Sequence, residues 1–193
     1  MTTPLPLDPE AASLAPNTVF ADSEGGPLIV MSRSAAPRWG GVFDDAGANV
    51  YGSERCDYDR ACEVAFAVID VGDARALTLE TPDNSAFVRR PEGALIARWV
   101  GADDATTLLT AALALPDQAF TESVGELPHD GGPLVMFDSA SRGAALDPAR
   151  TAEVDLPAGV YAVDLCVEWA GDVIGDDGAP HQTMLQALRL RRV

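Results

Sequence analysis

The chain has 193 residues, enough to bury one large core or two intimate halves. Thirty acidic residues stand against thirteen basic ones, all arginine, for a net charge of −17. So acidic a balance repels nucleic acid and anionic membranes and favours a basic partner, although codon bias and solubility account for it equally well. Three cysteines without Cys-x-x-Cys spacing exclude a disulfide framework, and no apolar run of about eighteen residues is present to span a membrane.

Residues 1–16 are rich in Pro, Ala and Thr, with acids and no base. This stretch lacks the basic and apolar segments of a signal peptide, so a cytoplasmic chain is expected, with a disordered or loosely attached tail. Thr18-Val19-Phe20-Ala21 then reads as extended. After it, Gly25-Gly26-Pro27 turns the chain into the apolar run Leu28-Ile29-Val30-Met31, of the length of a buried strand. The same grammar returns at Ala119-Phe120-Thr121-Glu122 and Gly131-Gly132-Pro133-Leu134-Val135-Met136. Dropping Ile29 aligns the two copies. They predict two hairpin-led pseudo-repeats, about 17–116 and 117–193, sharing one core.

Pro37-Arg38-Trp39-Gly40-Gly41 makes a tight corner at which Trp39 is either a core plug or a partner-binding anchor. Residues 47–54 read as a polar, exposed loop. Cys56-Asp57-Tyr58-Asp59-Arg60-Ala61-Cys62 is the most distinctive piece of the chain. On a helical turn Asp57 and Arg60 face each other at i, i+3, and Asp57 can cap the turn. A structural Asp–Arg turn and a partner-facing acidic patch both account for it. Paired acids also serve metal binding and acid–base chemistry, but no Gly-centred calcium loop surrounds these two. Cys62 and Cys166 lie among apolar neighbours, as small core residues do.

Residues 65–71 and 76–80 follow as strands broken at Gly72-Asp73. A hairpin over 86–88 and 94–100 turns at Pro91-Glu92-Gly93, with Leu95, Ala97 and Trp99 on one face and Arg98 on the other. Asp103-Asp104 caps the one convincing helix, near 104–115, which Pro116 ends and whose Leu108, Leu109, Ala112 and Leu113 face the sheet. In the second half Val154 and Leu156 alternate with acids. The strand at Tyr161–Trp169 is the cleanest, 171–180 reads as a long Gly/Asp loop, and Leu188 and Leu190 alternate with arginines to close the chain. The fold class is therefore α+β, mainly antiparallel β.

Catalytic patterns are missing: there is no Gly-x-Ser-x-Gly, no phosphate-cradling loop and no His-Glu-x-x-His. His129 and His181 stand alone beside turns, and Ser139 and Ser141 have no base in view. No catalytic residue, metal ligand or cofactor is assigned, and the chain reads as a non-enzyme.

Gly-Gly-Pro-Leu before a strand, Arg38-Trp39-Gly40, the run Asp57-Tyr58-Asp59-Arg60-Ala61-Cys62 and Val71-Gly72 together resemble the immunity protein 21 family. Arg98-Trp99-Val100, Phe137-Asp138-Ser139 and Leu156-Pro157-Ala158-Gly159-Val160-Tyr161 continue the likeness in order, over roughly 20–193. The acidic run at 57–62 is its specific part. The resemblance implies a bacterial cytoplasmic protein of polymorphic toxin systems that neutralises a cognate toxin by binding it, with no catalytic residues. Trp39, Gly40, Tyr58, Arg60, Cys62 and Trp99 are then expected as structural motif residues. Asp44, Asp45, Asp57 and Asp59 are expected as interface candidates, suited to a basic nuclease toxin. The rival reading is a small-ligand or ion-binding β-sandwich module. The oligomeric state is left open.

Overall fold

Strands are the main regular element of the chain, and the computed structural model describes residues 3–54 and 56–193. The first half carries α1 (Pro9–Leu14), β1 (Leu28–Ser32), α2 (Asp57–Cys62), β2 (Ala67–Val71), β3 (Ala74–Leu79), β4 (Ser85–Arg90) and β5 (Gly93–Gly101). Then come α3 (Ala105–Leu113), β6 (Glu122–His129), β7 (Gly132–Asp138), β8 (Ala152–Leu156), β9 (Gly159–Ile174) and β10 (Pro180–Arg192). The strands form two five-stranded antiparallel sheets, ordered β2-β3-β1-β7-β8 and β4-β5-β10-β9-β6. This is the α+β, mainly antiparallel architecture expected from the pattern.

The two sheets face each other across one apolar core. Leu28, Val30, Leu77, Leu79, Leu134 and Met136 come from the first sheet, and Ile96, Tyr161, Val163, Leu188 and Leu190 from the second. Each outer face has its own cover. Helices α1 and α3 lie on the second sheet through Ala11, Leu108, Leu109 and Ala112, against Leu95, Ala97 and Leu185. On the first sheet, Trp39, Ala36 and Ala61 cover Ile29, Met31, Val135 and Phe137. Helix α3 begins where the acids place it. Asp104 accepts from the Thr107 amide at 2.8 Å, and the Thr107 side chain returns the bond in a capping box.

The Gly-Gly-Pro turns do not close hairpins. Ala21 bridges to Ser85 in the second sheet, whereas β1 pairs with β3 and β7 in the first. Likewise β6 pairs with β9 and never with β7. Each turn therefore carries the chain from one sheet to the other. The physical reason lies in β1, whose five residues are all buried. A strand covered on both faces belongs at the centre of a sheet, where both of its edges are taken by other strands.

The two copies become direct neighbours instead. Leu28 stands opposite Asp138, Val30 opposite Met136 and Ser32 opposite Leu134. Strand order is symmetric about this pair and about β5–β10, since β3-β1 is answered by β8-β7 and β4-β5 by β9-β10. The equivalence that respects facing has no gap: Leu28 with Leu134, Ile29 with Val135, Val30 with Met136. Dropping Ile29 would align inward Val30 with outward Val135, because a one-residue slip in a strand flips every side chain.

Three other expectations change. The leader, over its described residues 3–16, is tied down: the Leu5 amide donates to the Asp172 carbonyl at 2.8 Å, Leu5 accepts from Ile174, and Ala11 is fully buried. Residues 1 and 2 of that leader lie outside the described residues. The Gly/Asp stretch at 171–180 is mostly hairpin, with β9 and β10 paired from His181↔Val173 to Thr183↔Gly171 and only 175–179 left as the tip. Val173 within it is fully buried in the layer beneath α1 and α3. Cys62 is exposed, and it is Cys56 that is buried along with Cys166, because Ala61 takes the inward position of α2.

Candidate functional site

The residues singled out at 38–62 converge on one corner of the first sheet. Trp39 ends a short 3-10 turn over residues 36–38 and is 1% exposed. Its indole N–H donates to the Ser139 carbonyl at 2.8 Å, and its own carbonyl accepts from the Gly143 amide at 2.9 Å. Trp39 thus plugs the outer core and bolts together segments a hundred residues apart. Gly40 follows because nothing larger fits: a Cβ there would lie 2.5 Å from the Phe43 carbonyl oxygen.

Asp57 opens α2 and uses both carboxylate oxygens inside the corner. One accepts from the Gly40 amide at 2.8 Å and the other from the Arg60 guanidinium at 2.9 Å. Arg60 donates onward to the Asp70 carbonyl at 2.5 Å, so α2 is tied to the end of β2. The Asp–Arg turn is therefore present, and the Asp57 side chain is only 18% exposed. Tyr58 packs on Gly26, where a Cβ would meet its ring at 2.4 Å. Its phenol is pushed up to about 12, first by its hydrogen bond with Cys62 and then by burial.

Asp59 turns to a different partner, the Gly52 amide, at 2.6 Å. Asp44 closes its own loop by accepting from the Ala48 amide at 2.9 Å, and Asp45 beside it is exposed. Between these acids stands Tyr51, 66% exposed, its ring centroid 5.9 Å from that of Tyr58. The loop beneath it is held in one shape: the Tyr51 amide bonds Asn49 Oδ1, the Val50 amide bonds the Val42 carbonyl, and the Ser53 hydroxyl bonds the Val50 carbonyl. An aromatic presented this way, on an ordered loop that also carries Asp44 and Asp45, is suited to insertion into a complementary surface. Tyr51 went unremarked in the sequence because a lone tyrosine in a polar loop carries no periodic signal.

Trp99 does not belong to this corner. It lies on the opposite side of the molecule, edge-on to Phe20 at 5.4 Å, and donates to the Ala102 carbonyl at 3.1 Å. Its neighbour Arg98 does point the other way, as alternation requires, but into the space between the sheets, where it is fully buried. The Thr81 carbonyl at 2.7 Å and Gln186 Oε1 at 3.0 Å satisfy it, and it lies over the Phe66 ring. Burial lowers its guanidinium to about 10, opposed by Asp83.

A cleft of about 410 Å³ opens beside the corner, between the β2–β3 turn and the β6–β7 turn. His129 forms part of its wall, with Nδ1 2.7 Å from the Ser32 hydroxyl and Nε2 3.1 Å from the Gly132 carbonyl. An acceptor carbonyl at Nε2 places the ring hydrogen there and leaves Nδ1 to accept from Ser32. Ser34 bonds Asp130, which holds that carboxyl below its usual range. Arg38 and Arg75 flank the opening, paired with Asp73 and Asp70. Among the described residues, no group of three or more His, Cys, Asp or Glu is arranged to hold a metal ion. No helix there is long and apolar enough to cross a membrane.

Residues 19–172 match the family model described as immunity protein 21. No curated protein and no solved structure matches the chain. The match spans most of the chain and includes the whole of the corner, so the chain belongs to the immunity protein 21 family.

Proposed function

We propose that this immunity protein neutralises its toxin by binding it, through the face formed by Tyr51 with Asp44, Asp45 and Asp59. The observation that carries this reading is the preorganised, two-thirds-exposed Tyr51 among carboxylates on a loop braced against α2. Ordering such a loop beforehand lowers the entropic cost of association, and tyrosine supplies much contact area with few rotors. The net charge of −17 adds long-range attraction toward a basic partner. A nuclease toxin fits best, because its substrate-binding arginines and lysines would meet these carboxylates in place of phosphate. Asp57 contributes by holding the scaffold and not by touching the partner. The protein acts in the cytoplasm and without a catalytic step.

The test is coexpression with the product of the adjacent gene. The expected result is copurification of the two chains and restored growth of the host, both weakened by Tyr51→Ala combined with Asp59→Asn. A neighbour that neither copurifies nor loses toxicity removes the reading. The cleft beside His129 favours ligand binding instead, and a thermal shift with calcium or small metabolites distinguishes the two.

A further inference from the structure

His181 lies far from the corner described above, at the tip end of the β9–β10 ribbon, and both of its ring nitrogens face carboxylates. Nδ1 contacts Asp103, in the lead-in to α3, and Nε2 lies 2.9 Å from Asp177 at the hairpin tip. The imidazole is 24% exposed, against 64% for Asp103 and 60% for Asp177. A neutral imidazole has one N–H and one lone pair. With a carboxylate at each nitrogen, the neutral ring can satisfy only one contact and must set its lone pair against the other. Only the imidazolium donates to both.

We infer that protonated His181 is a clasp fastening the β9–β10 tip to the start of α3, and that its deprotonation releases the tip. Among the described residues, the hydrogen bonds within the tip are few and local. The Gly175 amide bonds the Ala179 carbonyl at 2.9 Å, the Gly178 amide bonds the Gly175 carbonyl at 2.9 Å, and the Ala179 amide bonds Asp177 itself at 2.9 Å. One and three residues before the tip, Ile174 and Asp172 carry the two backbone bonds that dock Leu5 onto β9. Loosening the tip therefore reaches the N-terminal strap. The charged groups next to His181 and its partners in the chain and the ladder are also acids: Asp104, which caps α3, Asp172 on β9 and Asp176 at the tip. Arg189, Arg191 and Arg192 stand at the far end of β10, where Arg189 pairs with Asp117 and Asp164.

The direction follows from the same contacts. Asp177, and after it Asp103, raises the His181 imidazole above its ordinary 6.5. A raised folded value means the clasp contributes fully below about 6.5 and is lost as pH rises through the folded value. The device responds to alkaline drift, not to acid.

Imidazole NMR titration of the intact protein tests this, with amide hydrogen exchange as the second measurement. His181 is expected to titrate above 6.5, and Asp103→Asn or Asp177→Asn to bring it down. In His181→Gln the amides of Gly175, Ala179, Ile174 and Leu5 should lose protection at pH 6 relative to the parent protein. That difference should vanish once the parent's His181 has deprotonated. An imidazole titrating at or below 6.5 would overturn the clasp, as would a His181→Gln protein whose tip amides exchange at the parent rate at pH 6.

Discussion

Two sides of the six-residue helix α2 teach how one acidic motif divides its labour. On the inner side Asp57 has both oxygens engaged, by Gly40 and by Arg60, and Tyr58 and Ala61 close the packing against Gly26 and the Trp39 layer. On the outer side Asp59 braces Gly52, and Tyr51 stands clear of the surface. The residues are chemically alike and two positions apart, yet the first is locked into the scaffold and the second belongs to the face proposed to meet the partner. Local geometry explains the split. Asp57, the first helical residue, leaves its own helix uncapped and turns inward to the remote Gly40 amide and to Arg60, whereas Asp59 points across to the neighbouring loop.

Breaking the inner side has the largest expected effect. Trp39→Ala should cost about 3–5 kcal/mol, as for other buried aromatics, read as a lowered urea midpoint with an unchanged slope. Next comes the outer side on binding: Tyr51→Ala should weaken toxin affinity by about 2 kcal/mol or more, roughly thirtyfold, in a calorimetric titration. Asp57→Ala should lower unfolding free energy by about 1–3 kcal/mol, since it strands the Gly40 amide and the Arg60 guanidinium. Asp59→Asn should stay within about 0.5 kcal/mol of the parent in the same denaturation experiment. If Asp57 and Asp59 proved equal in both stability and binding, the division drawn above would collapse.

The smallest effect sharpens the comparison by pH. Tyr58 is raised from 10.0 to about 12, so the folded state holds its proton where the unfolded state has lost it. Its contribution is complete below about pH 10 and disappears as pH rises through about 12. An ultraviolet titration should show a tyrosine transition near 12, and Cys62→Ala should bring that Tyr58 transition down.

Much of this was legible in the chain. The apolar runs of β1 and β7, the β4–β5 hairpin, the Asp104 cap and the Asp57–Arg60 turn all record interactions between residues a few positions apart. The Asp-Tyr-Asp-Arg-Ala-Cys run and its companion motifs likewise pointed to the family that the match over 19–172 establishes. The histidines look solitary in the sequence because their partners are remote: Ser32 lies 97 positions from His129, and Asp103 lies 78 from His181. Cys62 was placed inside because its neighbours in sequence are apolar, though the helix turns it outward.

Alternation, turn residues and caps act between near neighbours, so the amino-acid order alone determined most of the strands, where α3 starts and that the architecture is mostly antiparallel β, but not the strand residues within 171–180 or most of β6. Only the tertiary structure decided which sheet each strand joins, how β1 and β7 register, and that Arg98 is enclosed while Tyr51 is not. Those outcomes depend on lateral pairing between segments as much as a hundred residues apart. Such partners compete for the same edges and faces, and that competition is resolved only when the whole core is assembled.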